Sequence, residues 1–218
     1  MTDTRRTMIK RISMSVCGVV ICAVCVGIFK FAAYGVDPFQ SLMSGLDQLI
    51  PIDFGTLYVI ANAALLLFAL IADRHYIGVN TFINLLFLGY IAQFTLEALQ
   101  RLIPEPTAAV RISMLIVGIV FISFSLSLYM TADLGVSTYD AVALIVTNTW
   151  KKGQFRYNRI LTDIVCVLMG AGLFMAGGGK FSQIPSIIGI GTIITAFFMG
   201  PLIEFFSQKI SRPLLERK

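Results

Sequence analysis

Charge is what this sequence has least of. Only 13% of its 218 residues are charged, about half the share a soluble domain uses to wet its surface. An ordinary water-soluble fold is thereby excluded. The 57% of residues that are hydrophobic must be covered by lipid instead. Histidine is scarcer still, with His75 alone in the short turn Asp73-Arg74-His75-Tyr76. One loop histidine and scattered acids supply neither a nucleophile–base pair nor a metal set, so no enzyme and no cofactor are expected. Cys17, Cys22, Cys25 and Cys166 all sit in apolar runs without a CxxC pair, a pattern of packing residues rather than of disulfides or zinc. Gly177-Gly178-Gly179 lacks the Lys-Ser/Thr ending of a phosphate loop and reads as a flexible turn. Tryptophan occurs once, against 17 Phe and 7 Tyr, so aromatic bulk serves packing more than an interfacial belt.

What is present is length in apolar runs. Six stretches, 12–33, 55–72, 77–98, 112–132, 158–176 and 185–206, approach the roughly 20 residues that span a bilayer. Segments 37–49 and 137–150 are too short to cross. The opening MTDTRRTMIKR and the run after it mimic a secretory signal, yet Lys30 and aromatic residues follow where a small-residue cleavage site belongs. A retained helix is expected. The net charge of +5 flanks these runs without forming an aromatic-laced basic patch, which argues against a nucleic-acid partner. With the amino terminus inside, the cytoplasmic side holds Arg5, Arg6, Lys10, Arg11, Arg74, Lys151, Lys152, Arg156, Arg159, Lys209, Arg212, Arg217 and Lys218. These are thirteen of the 17 basic residues. Six spans with both termini cytoplasmic in the inner membrane is the economical reading.

The sequence also repeats. Arg11-Ile12-Ser13-Met14 recurs as Arg111-Ile112-Ser113-Met114, and Gly18, Val20, Ala32, Gly35 and Val36 recur 100 residues later. Nine of 36 positions from 11 to 46 match without a gap. Further along the offset is 111: Gly78, Thr81, Ile83, Phe87, Gly89 and Phe94 match Gly189, Thr192, Ile194, Phe198, Gly200 and Phe205. Each half therefore reads span, short helix, span, span. Three spans per half force the second half to enter from the opposite side. The expected fold is all-α, a single membrane domain 1–218 of two inverted-topology repeats, 11–100 and 111–207, with two short re-entrant or interfacial helices.

The blocks Gly35-Val36-Asp37-Pro38-Phe39 and Gly78-Val79-Asn80-Thr81-Phe82-Ile83-Asn84 resemble the YczE/YitT-type small bacterial membrane proteins. The resemblance covers most of the chain. It implies the fold and an inner-membrane location, and it carries no catalytic or transport residues.

Candidate site residues are those that are polar where lipid surrounds the chain. Asp37-Pro38 offers an N-cap followed by a first-turn proline, and Ser137-Thr138-Tyr139-Asp140 has the spacing of a capping box. If these short helices enter the membrane, their starts present free N–H groups and partial positive charge. If they lie flat at the interface, they merely connect spans. Asn62 aligns near Asp163, Asn84 with Thr195, and Gln93 with Glu204. Such groups usually face a protein interior or a wet cavity. Asp163 can instead pair with Arg159 one turn away, Asn84 can hold helices together, and Glu204 can reach water. Lys30 is expected to snorkel to the outer headgroups, the other reading being a pair with a carboxylate.

Inverted repeats point to a small transporter or channel for a polar solute or an anion, with the site at Asp37, Asn62, Asn84, Ser137, Asp140, Asp163, Thr195 and Glu204. One chain gives a thin wall around a pathway, so a homodimer within the lipid bilayer is compatible with this reading. The other reading is a membrane scaffold without transport activity. In a cysteine-free background, Gly153→Cys should be labelled only after the cytoplasmic face is exposed. Efficient labelling from outside intact cells would overturn the topology.

Overall fold

The computed structural model describes the backbone of residues 2–216 and the side chains of 7–154 and 157–216. The side chains of Arg5, Arg6, Arg156, Arg217 and Lys218, assigned above to the cytoplasmic side, lie outside the described residues. The described chain is helical. Its elements are α1 (Thr2–Ala32), α2 (Pro38–Leu49), α3 (Phe54–Ala72), α4 (Val79–Leu102), α5 (Ala108–Ala132), α6 (Thr138–Leu144), α7 (Phe155–Ala176), α8 (Ile184–Ile187), α9 (Ile190–Phe206) and α10 (Arg212–Glu216). A π-helical turn, Ile145–Thr149, extends α6, and a second, Ser207–Ser211, joins α9 to α10.

Among the described residues, six helical segments are long and apolar enough to cross a membrane: Thr7–Ala32, Phe54–Ala72, Val79–Leu102, Ala108–Ala132, Tyr157–Ala176 and Phe181–Glu216. The centre is the pair α1 and α5, which run antiparallel. Val19, Ala23, Val26 and Phe29 of α1 are fully buried. Lipid supplies no hydrophobic drive between spans, so close approach of small residues matters more than in water. A Cβ on Gly18 would lie 2.9 Å from the Ser125 carbonyl oxygen, and one on Gly118 would lie 2.6 Å from the Phe29 ring.

Both central helices end in the same irregular turn. Ala33 and Asp133 have φ of 57° and 52°, and Gly35 and Gly135 have φ of 95° and 99°. The freed backbone groups pair across the two halves of the chain. Tyr34 O accepts from Gly191 N–H (2.8 Å), and Leu134 O accepts from Asn80 N–H (2.9 Å). Val36 N–H donates to Ile187 O (3.3 Å), and Val136 N–H donates to Tyr76 O (3.2 Å). Both glycines are required twice over, by φ and by space: a Cβ on Gly35 would lie 2.4 Å from Gly189 N, and one on Gly135 would lie 2.5 Å from Gly78 N.

This exchange breaks the sixth span, which the sequence presents as one run over 185–206. Ile188 and Gly189 are extended, separating α8 from α9. The Ile187 carbonyl, unable to serve a continuing helix, accepts from Val36 N–H and from the Ser41 hydroxyl at 2.8 Å.

The short helices stand beside membrane-length helices rather than flat across their ends. α6 starts at mid-length of α3, where Thr138 Oγ1 donates to Asn62 Oδ1 (2.5 Å), and its extension ends where Thr149 Oγ1 donates to Asp73 Oδ2 (2.6 Å). α2 lies along α7, with Gly45 against Gly170 and Gln48 Nε2 reaching Gly177 O at 3.4 Å. The two starts meet in the middle, where the Phe39 and Tyr139 rings stack with centroids 4.8 Å apart. From there α2 runs toward the start of α3 and α6 toward its end, which are opposite ends of the molecule.

Lys30 does not snorkel. Its Nζ lies 3.7 Å from Asp47 and 3.2 Å from the centroid of the Phe54 ring. The end of α2 brings an acid within reach, and the ring shields the pair from lipid. Gly35→Ala and Gly135→Ala should each cost about 1–3 kcal/mol of stability through strain and overpacking, read as a drop in thermal unfolding temperature in detergent. Gly172→Ala, with nothing within 4 Å of its added Cβ, should be neutral or slightly stabilising.

Candidate functional site

Two half-helix starts aimed at each other leave a gap that their side chains cannot fill. A cavity of about 360 Å³ opens there. Asp37, Asn62, Asn84, Ser137, Asp140, Asp163, Thr195 and Glu204 all line it. Much of the remaining wall is apolar, including Val26, Leu88, Ile122, Leu126 and Met199. The cavity extends from the helix starts to Met130, Ile203 and Glu204, toward the end of the molecule where α1 begins.

Each polar residue has a distinct setting. Asp37 caps α2, its Oδ1 accepting from Gln40 N–H at 3.2 Å, and Pro38 follows at the first helical position. Asn62 is buried, donating to Tyr58 O (2.8 Å) while accepting from Thr138. Asn84 accepts from the Tyr58 hydroxyl at 3.3 Å, and Thr195 Oγ1 donates to Thr192 O at 3.1 Å. Glu204 is exposed at the rim, accepting from Gln208 (2.7 Å) and lying 3.9 Å from Arg212.

The expected capping box at α6 is only half made. Asp140 N–H donates to Ser137 Oγ (3.1 Å), but the Asp140 carboxylate does not return to the backbone. It accepts from the Ser137 hydroxyl (2.6 Å) and from Arg159 Nη1. A guanidinium is the stronger partner, because a charge-assisted bond outweighs a neutral one. Arg159 also places Nε 3.3 Å from Asp163 Oδ1, the pairing expected one turn apart on α7. The same Asp163 oxygen accepts from the Tyr139 hydroxyl at 2.6 Å, and the guanidinium carbon sits 4.4 Å from the centroid of the Tyr139 ring.

Two participants, Tyr139 and Gln40, are not among the candidate residues the sequence offers, and Arg159 is offered only as a partner of Asp163. Tyr139 is the aligned partner of Phe39, and Gln40 that of Asp140, at the offset of 100. Arg159 aligns with Tyr58 at the offset that pairs Asn62 with Asp163. The alignment of Gln40 with the candidate Asp140 is a signal that points to it. Gln40 is 4% exposed, lines the cavity, and its Oε1 is buried without a hydrogen-bond partner. Leaving a buried acceptor unpaired costs about 1–3 kcal/mol.

The halves also differ in closure. A Cβ on Gly89 would lie 2.6 Å from Tyr58, because α4 packs on α3, and Gln93 Oε1 accepts from Gly55 N–H at 3.0 Å. Gly200, the aligned partner of Gly89, has nothing within 4 Å of an added Cβ. Between α7 and α9 lies a second, more apolar cavity of about 320 Å³ that shares Pro38 and Asp163 with the first.

Six described helices of membrane-spanning length and apolarity make this a multi-pass α-helical membrane protein. A family model described as "Family of unknown function (DUF6198)" matches residues 9–208, and the chain belongs to that family. It is similar to an uncharacterized protein of Haemophilus influenzae, 23% identical over 85% of this chain and 78% of the relative. It is also similar to the uncharacterized membrane protein YczE of Bacillus subtilis, 22% identical over 79% of this chain and 74% of the relative. No solved structure matches the chain.

Removing the base that Asp140 and Asp163 share should be costly. Arg159→Met should lower stability by about 3 kcal/mol, since it strands carboxylates whose side chains are only 13% exposed. Adding Asp163→Asn should recover part of that loss in the same thermal unfolding assay.

Proposed function

We propose that this protein is a small solute transporter of the cytoplasmic membrane, with both termini inside and two inverted-topology repeats that alternate access to the central cavity. The observation that carries this reading is the unequal closure of matching helix pairs. Gly89 is packed against Tyr58, whereas Gly200 faces open space. Two structurally related halves held in different states are what an alternating mechanism requires: exchanging their conformations closes one gate and opens the other. In the present state the cavity opens toward Glu204, the cytoplasmic end in the proposed topology. The opposite end is closed by Phe39, Phe54 and Tyr58, whose rings lie 6.0 and 6.1 Å apart in sequence of contact, and by the Lys30–Asp47 pair.

Polar groups at this depth are expensive unless paired or hydrated. A scaffold would have no use for a cavity lined by them, and would satisfy them across dry helix contacts.

Paired spin labels test the reading. Thr56→Cys with Glu97→Cys reports on the α3–α4 end, and Tyr157→Cys with Gln208→Cys on the α7–α9 end. Two distance populations at each end, shifting reciprocally when one end is cross-linked, are expected. One fixed distance at both ends would leave the scaffold reading in its place. In liposomes, Asn84→Ala should cut flux per folded molecule at least about tenfold, the loss of one hydrogen bond made to a moving charged or polar ligand. Unchanged flux would assign Asn84 to helix packing alone.

A further inference from the structure

The cavity's charges select its ligand. Asp37, Asp140 and Asp163, with Glu204 at the rim, line it, and among the described residues Arg159 is the single base in its wall. Arg159 is already committed to Asp140 and Asp163. Among the described residues no lysine or arginine lies within 4.0 Å of Asp37. The start of α2, where an anion would be drawn by free N–H groups, is occupied by the Asp37 carboxylate itself. An anionic solute therefore meets a filled helix start and surplus negative charge.

The second observation is independent of that count. Gln40 stands one turn into α2, nine-tenths buried, with its Oε1 lacking any donor. The Asp37 carboxylate, whose Oδ1 accepts from Gln40 N–H, and the unpaired Gln40 amide oxygen are two acceptors within the first turn of α2. The Phe39, Tyr58 and Tyr139 rings lie close by, and aromatic faces attract cations. Much of the rest of the wall, with Leu88, Ile122 and Met199, is hydrocarbon. A hydrated inorganic ion would leave that surface wet, and two acceptors fall short of the six or more oxygens a hard divalent ion takes.

We propose that the cavity binds a small organic cation, a protonated amine with an apolar body, its ammonium group held by the Asp37 carboxylate and the Gln40 amide oxygen. The inference rests on the transport reading only in naming this ligand as the solute carried. Binding is measured at equilibrium, so its failure is distinct from a failure of the distance measurements above.

The test is calorimetric titration of the purified full-length protein in nanodiscs with three probes of equal chain length: n-pentylammonium, n-pentanoate and pentanol. Saturable binding of n-pentylammonium alone is expected. Asp37→Asn keeps a good N-cap, so α2 should still form, while affinity for the amine falls at least about tenfold, the loss of one charge-assisted contact. Gln40→Leu should weaken the amine several-fold while leaving thermal stability equal or higher. Binding of n-pentanoate as tight as the amine, equal binding of pentanol, no binding of the amine, or amine binding unchanged in folded Asp37→Asn would each overturn the proposal.

Discussion

Backbone N–H and C=O groups have no water to turn to inside a bilayer, and the rest of this structure depends on how that demand is met at two places. α1 and α5 both stop short in a left-handed turn, leaving residues 33–37 and 133–137 irregular. Irregular backbone at depth survives only where protein satisfies it. Here each turn is satisfied by the segment that precedes the last long helix of the other half, through Gly191 to Tyr34 and Asn80 to Leu134. Neither half can therefore hold its half-helix alone. The exchange sets the height at which α2 and α6 begin, brings Phe39 onto Tyr139, and so places the cavity.

Around that common frame the two halves carry different chemistry. On the α3 side the buried groups are neutral: Asn62, Thr138, Tyr58 and Asn84 hydrogen-bond to one another and to backbone. On the α7 side the corresponding positions are ionic, with Arg159 between Asp140 and Asp163. Neutral hydrogen bonds tolerate a dry, close-packed interface, and α3 is packed on α4. Charges cost far more to desolvate, and this side borders the open gap beside α9. The difference in closure thus follows the difference in polarity, and the surplus carboxylate at Asp37 faces the gap from the end of α2.

Much of the site was legible because lipid makes polarity conspicuous. Asn62, Asn84, Asp163 and Thr195 stand out in apolar runs, and Asp37 and Ser137 carry N-cap signatures that the backbone confirms. Arg159 was read as an ion-pair partner of Asp163, and that bond is present. Its bond to Asp140 depends on where α6 sits against α7, which no local pattern encodes. The alignment of Gln40 with Asp140 points to it, but a glutamine in a short amphipathic segment looks solvated until the fold buries it. The sequence leaves Lys30 between the headgroups and a carboxylate, because its partners, Asp47 and Phe54, become neighbours only after α2 folds back beside the spans.

Hydrophobic run length, the placement of basic residues and the repeat at offsets of 100 and 111 are properties of the chain itself. By themselves they determined a six-span, all-helical membrane protein and the residues too polar to face lipid. Such signals work at short range, because each span meets the bilayer independently and one buried charge or amide is expensive wherever the chain goes. Only the tertiary structure decided that the sixth span is broken at Gly189, that the short helices stand upright, and that the polar residues share one cavity. Those outcomes are set by hydrogen bonds and steric contacts between residues far apart in the chain, 54 positions for Asn80 and Leu134 and 154 for Gly35 and Gly189. They exist only once both halves have come together.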